Sequence, residues 1–395
     1  MWKSLPRKGT KLVSALPASA IRLPSLTGYR MILAVAVFST HALASARFYH
    51  NEFLNGLGLI APYGISSLSS FFALSGFVLT WGASRADTAR LFWRRRLVKI
   101  FPNHVLTWAL TIVLFAVVGP MPLLGIPPRA GPALTNLFLV QAWIPSPNYL
   151  LSVDGINWSV SSELFFYAVL PLLIRPLMRI PAHRLWACFA GTAVVLAVVP
   201  AVVTYAIDAP PWPLWPPLSF VQTWLVYFFP LVRLPEFLLG VLLARIVQAG
   251  RWPRLRARWV ALFAVLVCLA MLVLPVAYSR SGIVAVPMCL FIPIIAVRDI
   301  EGRGSWLRRR GVVLLGDASY AMYLIHWPVL GVTRHLVGAH RTFDGVTGTL
   351  IIIAVFAVTQ LAAVALYQYF ERPLMRRFSA PRSRDHSVAG GHPPQ

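Results

Sequence analysis

Seven ionisable side chains fall inside the long apolar stretches of this 395-residue sequence: Arg30, His41, Glu163, Arg233, Glu236, Asp317 and His326. A charged group at the centre of a membrane helix costs roughly 2.5–3.5 kcal/mol even on lenient scales, so function is sought at these positions first. Arg30 and His41 stand eleven residues apart in "LTGYRMILAVAVFSTHALASA". At about 100° per residue the two side chains return to one helix face, about 16 Å apart along the axis. A guanidinium offers charge-assisted anion binding and an imidazole offers proton transfer near neutral pH. The plainer alternatives are a snorkelling anchor for Arg30 and a structural hydrogen bond to a neighbouring helix for His41.

Glu163, in "NWSVSSELFFY", is about six residues into its own apolar run, which predicts a depth similar to that of His41. A carboxylate beside an imidazole can orient it, fix its tautomer and stabilise its cation; a buried structural Glu–His pair is the alternative. In "RLFWRRRLVKIFP", Arg96 and Lys99 are i, i+3 neighbours on a helix and could grip phosphates, or could simply mark a cytoplasmic loop. Tyr320, Tyr323 and His326 form a polar stripe in "SYAMYLIHWP", read for the tyrosines as bundle packing. Glu236 follows a proline and is expected to pair with Arg233, Asp317 to cap a helix, and Glu371 in "YFERP" to pair with the basic loops. Three cysteines in apolar segments show no metal or disulfide spacing, and no metal site is expected.

The elements that carry these groups follow from composition. The chain is 58% hydrophobic and only 12% charged, where soluble domains are nearer 25% charged. Its mean hydropathy is +0.69. The expected fold is an all-α polytopic membrane protein with about ten transmembrane helices, near 26–46, 59–81, 104–118, 157–175, 185–206, 224–244, 259–277, 281–297, 314–333 and 346–369. The third is short and the sixth is interrupted by Pro230 and Pro235. Of the 36 Lys and Arg residues, alternate sides of this topology hold 29 and 5, with Arg30 and Arg233 inside spans. The positive-inside rule then makes both termini cytoplasmic. It also explains the net charge of +24 as a topology signal, which argues against a nucleic-acid partner. "ALAS" at Ala42–Ser45 resembles a signal-peptidase site, but the long polar region before it favours an uncleaved first helix.

Residues 1–25 read as a cytoplasmic tail, 26–377 as the membrane domain, and 378–395 as a disordered cytoplasmic tail. Between spans, Leu134–Trp143 is a semi-apolar stretch suited to the membrane interface, and "DAPPWPLWPPLSF" places tryptophans at interface level.

Taken in order, "SLTGYR…H", "FFALSGFVLTW", "FWRRRLVKIFP", "NWSVSSELFFYAVLPLL", "LPEFLLG", "ASYAMYLIHWPVL" and "YFERP" resemble the integral-membrane acyltransferase 3 family across about residues 25 to 377. The resemblance implies a ten-helix core that moves an acyl group from cytoplasmic acyl-CoA to an acceptor hydroxyl. It implies functional roles for Arg30 and His41. The family's Arg-x-x-Arg falls on Arg96 and Lys99, where lysine keeps the charge and loses the bidentate fork. The family's acidic position falls on Glu163. No soluble esterase-like domain follows. The segment around "SGFVLTWGASRADTARLFWRRRLVKIFP" is similar to actinomycete enzymes that acylate macrolides.

The reading this supports has Arg30, Arg96 and Lys99 holding the acyl-CoA and His41 as general base with Glu163 as its partner. Ser75, Trp158 and His326 are candidate substrate contacts. The acceptor is a hydroxyl-bearing small molecule or glycan, of macrolide type or, alternatively, of the cell envelope. A transporter of a polar or lipid-linked substrate is the alternative of another class, weakened by the lack of an obvious inverted repeat.

Overall fold

In lipid, every backbone N–H and C=O must be satisfied within its own segment, so long apolar runs become helices. The computed structural model describes residues 22–60, 63–83, 88–121 and 123–378, and these are helical apart from loops and two isolated bridges. Among the described residues, the ten longest helical stretches overlap the ten expected spans. They are α1 (Pro24–Ser45), α2 (Tyr63–Trp81), α3 (Ala89–Val118), α4 (Trp158–Arg179), α5 (Ala182–Ala206), α6 (Phe220–Gln248), α7 (Ala257–Ala270), α8 (Gly282–Ile300), α9 (Ser319–Val337) and α10 (Gly345–Phe378). Seven of them, all but α2, α7 and α9, are long and apolar enough to cross a membrane by length and composition. The chain is therefore an integral membrane protein. Most of the N-terminal tail and the expected disordered tail after Phe378 lie outside the described residues.

Several boundaries differ from expectation: α7 ends at Ala270 rather than near 277, and α9 begins at Ser319, after a helix that ends at Asp317, rather than near 314. The third span is the distal half of a 30-residue helix that begins at Ala89. Thr88 caps it, accepting from the Leu91 amide at 3.2 Å, and the helix continues through Pro102. The basic run Arg94–Lys99 is thus part of α3, and its side chains are held at fixed angles around the helix. In α6 the break falls at Phe229, between a π-helical turn at Trp224–Phe228 and the helix that starts at Pro230; Pro235 lies within that helix.

α6 is the centre of the bundle, with 56% of its most apolar window buried, against 17% for α10. It packs on α2 through close backbone contact. A Cβ on Gly240 would lie 1.7 Å from the Ala73 carbonyl oxygen, and one on Gly76 would lie 2.1 Å from that of Phe237. Small residues allow this approach, which replaces hydrophobic driving force as the source of helix association in lipid. Next to this contact Arg233 and Glu236 form the expected ion pair at 2.9 Å, both fully buried. Arg233 also donates to Ser69 Oγ at 3.1 Å and lies 5.5–5.8 Å from the ring centres of Phe72, Trp158 and Tyr227.

The N-terminus of α1 is anchored from a distance. The Asp299 carboxylate accepts from Ser25 N at 2.8 Å and from Ser25 Oγ at 2.7 Å, supplying the acceptors that a helix start lacks. Asp317 is not a cap: it ends the helix Arg310–Asp317, and α9 starts at Ser319 with no side-chain cap. Around the bundle, Val113, Val117, Val198, Val202, Leu350 and Leu361 are exposed, as lipid-facing positions are. The stretch after Ala130 alternates exposed Leu134, Phe138, Val140 and Trp143 with buried Asn136, Leu139 and Ala142, an arrangement suited to an interface.

Candidate active site

Three helices, α1, α4 and α9, each pass from one internal cavity to another. The first cavity, about 100 Å³, is lined by Arg30 of α1, Arg96 and Lys99 of α3, Glu163 and Tyr167 of α4, and Tyr320 and Tyr323 of α9, among others. The second, about 410 Å³, is lined by His41 and Ser45 of α1, Trp158 of α4, Trp215, Tyr227 and Phe228 near the start of α6, and Trp327 of α9. Both are lined by aromatic rings, and only the first also carries arginine, lysine and glutamate; they are called the basic and the aromatic cavity below.

The cations of the basic cavity are held differently. Lys99 pairs with the buried carboxylate of Glu371, which also accepts from Asn103 Nδ2. The expected pairing of Glu371 with the basic segment is therefore present, and it neutralises Lys99. Arg96 has its guanidinium 5.7 Å from the Tyr167 ring centre and 6.0 Å from that of Phe92. Among the described residues neither Arg30 nor Arg96 forms an ion pair, so this cavity presents two guanidinium groups without a carboxylate partner. Such a site suits an anionic ligand.

Glu163 is directed by its own helix. The Tyr167 hydroxyl, one turn along α4, donates to Glu163 Oε1, and Ser75 Oγ reaches the same oxygen at 3.3 Å and the tyrosine oxygen at 3.2 Å. His41 faces another partner: its Nδ1 is 2.8 Å from Nε2 of His326. The expected His41–Glu163 pair is thus replaced by His41–His326, and Glu163 sits with the cations. The reason lies in the loop before α4. Ser152, Val153, Asp154, Ile156 and Asn157 are all buried, as are Trp158 to Ser162. The helix therefore begins inside the bundle, and counting inward from its first residue underestimates the depth of Glu163.

His41 itself opens a π-helical turn, His41–Ser45. Such turns widen a helix locally and recur at functional sites. Here it turns the end of α1 toward the aromatic cavity while Arg30 stays with the basic one. Between the cavities the wall is thin. On α4 it falls between Trp158 and Ser159, and on α9 it falls between Tyr323 and Trp327. The Tyr323 hydroxyl donates to Ile156 O at 2.8 Å and meets Ser159 Oγ at 2.6 Å, closing that wall.

A domain model described as "Acyltransferase domain", of the acyltransferase 3 type, matches residues 23–368. The chain belongs to the acyltransferase 3 family. Acyltransferase MdmB of Streptomyces mycarofaciens is 34% identical to it over 373 residues, covering 91% of this chain and 94% of that protein. Exopolysaccharide production protein ExoZ of Rhizobium meliloti is 29% identical over 328 residues, 81% of this chain and 92% of that protein. O-acetyltransferase OatA of Staphylococcus aureus is 23% identical over 391 residues, 90% of this chain and 57% of that protein. No solved structure matches. As a member of this family the chain is a membrane acyltransferase.

Within this acyltransferase the sequence-predicted residues divide between the cavities. Arg30, Arg96, Lys99 and Glu163 line the basic one; His41 and Trp158 line the aromatic one. His326 is buried behind His41 and lines neither described cavity, and the hydroxyl of Ser75 is spent on Glu163 and Tyr167. Both were expected as substrate contacts and instead support a lining residue. Tyr167, Trp215, Tyr227 and Trp327 were not singled out as site residues. Tyr167 had a signal in its i, i+4 spacing from Glu163. Trp215, expected at interface level, turns inward to stack on Phe228 at 5.4 Å, with Arg280 4.9 Å from its ring centre.

Proposed function

We propose that this acyltransferase moves a short acyl group from acyl-CoA to a hydroxyl of a sugar-bearing or polyketide acceptor of macrolide type. The observation that carries this reading is the pair of cavities on the same three helices, one holding the cationic side chains and the other lined by His41. In this reading Arg30 and Arg96 hold the phosphates of the donor, whose thioester arm points toward the wall at Tyr323. Lys99 contributes less, because Glu371 already neutralises it. The acceptor rests against Trp158, Trp215, Tyr227 and Trp327, whose faces suit sugar rings and apolar macrocycles. His41 takes the proton of the attacking hydroxyl as its oxygen adds to the thioester carbonyl. Glu163, anchored by Tyr167 and Ser75, sets the field around the arm rather than touching the imidazole.

The strong bias of Lys and Arg to one side of the topology supports a cytoplasmic basic cavity and cytoplasmic termini. Similarity to the acyltransferase of Streptomyces mycarofaciens supports the antibiotic-type acceptor. Acetylation of a cell-envelope glycan is the second reading, favoured by the names of the Rhizobium and Staphylococcus relatives. Mass spectrometry of products separates them. Purified protein given several acyl-CoAs together with a macrolide or an envelope glycan should acylate the macrolide; acylation of the glycan alone would replace this reading with the second.

A further inference from the structure

His326 is buried, and its two ring nitrogens both have partners. Its Nδ1 lies 2.6 Å from the backbone carbonyl oxygen of Tyr323, one turn back on α9. A carbonyl oxygen can only accept, so this nitrogen carries the hydrogen. A neutral imidazole has one N–H, which leaves Nε2 of His326 as an acceptor. That atom is 2.8 Å from His41 Nδ1. His41 must therefore donate from Nδ1, and its remaining nitrogen, Nε2, keeps the lone pair.

The ring geometry agrees. The two imidazoles are within 9° of coplanar, with centroids 5.1 Å apart. That separation matches the N···N distance plus the two ring radii, as for an edge-on N–H···N bond, and is too long for face-to-face stacking. Trp327 packs on His41 at 4.8 Å and 68°, and Tyr323 packs on His326 at 5.6 Å, so both rings are held.

From this geometry we infer that His326 is the positioning residue of the proton-transfer base: it fixes His41 in the tautomer whose Nε2 can accept the acceptor's proton, and holds Nδ1–H throughout turnover. This rests on His41 being the general base. In the reaction the acceptor oxygen bonds to the thioester carbonyl carbon, the C–S bond breaks, and the hydroxyl proton passes to His41 Nε2 and then to the departing thiolate, giving free CoA thiol. The Nδ1 hydrogen never leaves the pair. His326 thus does for the imidazole what a carboxylate does in other acyl-transfer sites, as a neutral acceptor in the protein interior, where an unpaired carboxylate would be costly.

Two variants separate positioning from packing. His326→Phe keeps the ring's bulk and loses the acceptor; His326→Gln keeps an acceptor oxygen and loses the ring. Positioning predicts that His326→Phe lowers kcat roughly 100-fold with acyl-CoA affinity unchanged, and that His326→Gln recovers much of that loss. A packing role predicts the reverse order, and that order would overturn the inference. Histidine ¹⁵N NMR on the wild-type protein, with His41 assigned by difference against His41→Ala, gives a readout without turnover. A protonated Nδ1 on His41 is expected, and a protonated Nε2 in the neutral ring would refute the inference even if the variants fail to fold. If His41→Ala itself retains full activity, the base assignment fails. If His41→Ala is inactive while His326→Phe is fully active, only the role of His326 fails.

Discussion

The basic and aromatic cavities are built on the same three helices, yet they manage polarity in opposite ways. In the basic cavity charge is plentiful: Lys99 is paired with Glu371, while Arg30 and Arg96 share the space with Glu163 without an ion-pair contact among the described residues. In the aromatic cavity the polar functions are an imidazole and a few hydroxyls set among Trp158, Trp215, Tyr227, Phe228 and Trp327. Two half-buried guanidinium groups beside a single carboxylate suit an anionic ligand, which is why the proposed donor phosphates are placed there. In the proposed reading the other cavity recognises shape and apolar faces. A bisubstrate enzyme with a phosphate-rich donor and a bulky neutral acceptor needs that division.

The largest expected effect concerns stability and tests whether the three cations are equivalent. Lys99→Ala leaves the carboxylate of Glu371, which is 1% exposed, without its partner. Loss of one member of a buried pair costs about 3–5 kcal/mol, read as a lower unfolding midpoint in detergent. The double variant Lys99→Met, Glu371→Gln should recover most of it. Weaker acyl-CoA binding by Lys99→Ala at unchanged stability would instead make Lys99 a donor ligand like the arginines.

Next in size is His41→Ala, expected to lower turnover by at least ~100-fold, the lower range for a lost general base. Near-normal turnover would move the chemistry out of the aromatic cavity. A smaller change is expected for Trp215→Ala, which removes one aromatic wall. The acceptor KM should rise by up to about tenfold, in line with about 1.4 kcal/mol of aromatic contact, with donor affinity unchanged. An equal change in donor affinity would mean that the two cavities do not divide the substrates.

A pH-dependent effect lies in the loop beneath the aromatic cavity. Burial pushes the Asp154 carboxyl up to about 7, opposed only in part by the Ile156 amide. The folded state thus binds a proton that the unfolded state has already lost. The stabilisation is full below about pH 4 and is lost as pH rises toward 7. Unfolding midpoints measured across that window should fall with pH in the wild type and fall less in Asp154→Asn; identical slopes would mean that Asp154 is ionised and paired in the fold.

Much of this organisation was legible in the sequence. Ten apolar runs became ten helices because lipid leaves the backbone no alternative, and the eleven-residue step from Arg30 to His41 foretold a helix serving two places 16 Å apart. What was not legible is how far the chain folds back into the bundle. The segment Ser152–Asn157 precedes the fourth span and nothing in its composition marks it as buried; with its burial, Glu163 sits with the arginines instead of beside His41. His326 read as part of a polar stripe because periodicity shows which face a residue occupies, whereas its partner depends on which helix α9 meets. Trp215 likewise read as an interface anchor, since only tertiary packing turns it inward against Phe228.

Acyl-CoA binding by titration calorimetry, on the wild type, Arg30→Ala/Arg96→Ala and His41→Ala in the same detergent, bears most directly on the division of labour between the cavities. His41→Ala should bind the donor as the wild type does. The double arginine variant should bind it at least tenfold more weakly, since each charge-assisted hydrogen bond contributes about 1.5–3 kcal/mol. Normal donor affinity in the double arginine variant, or a comparable loss in His41→Ala, would contradict the assignment of donor and acceptor to separate cavities.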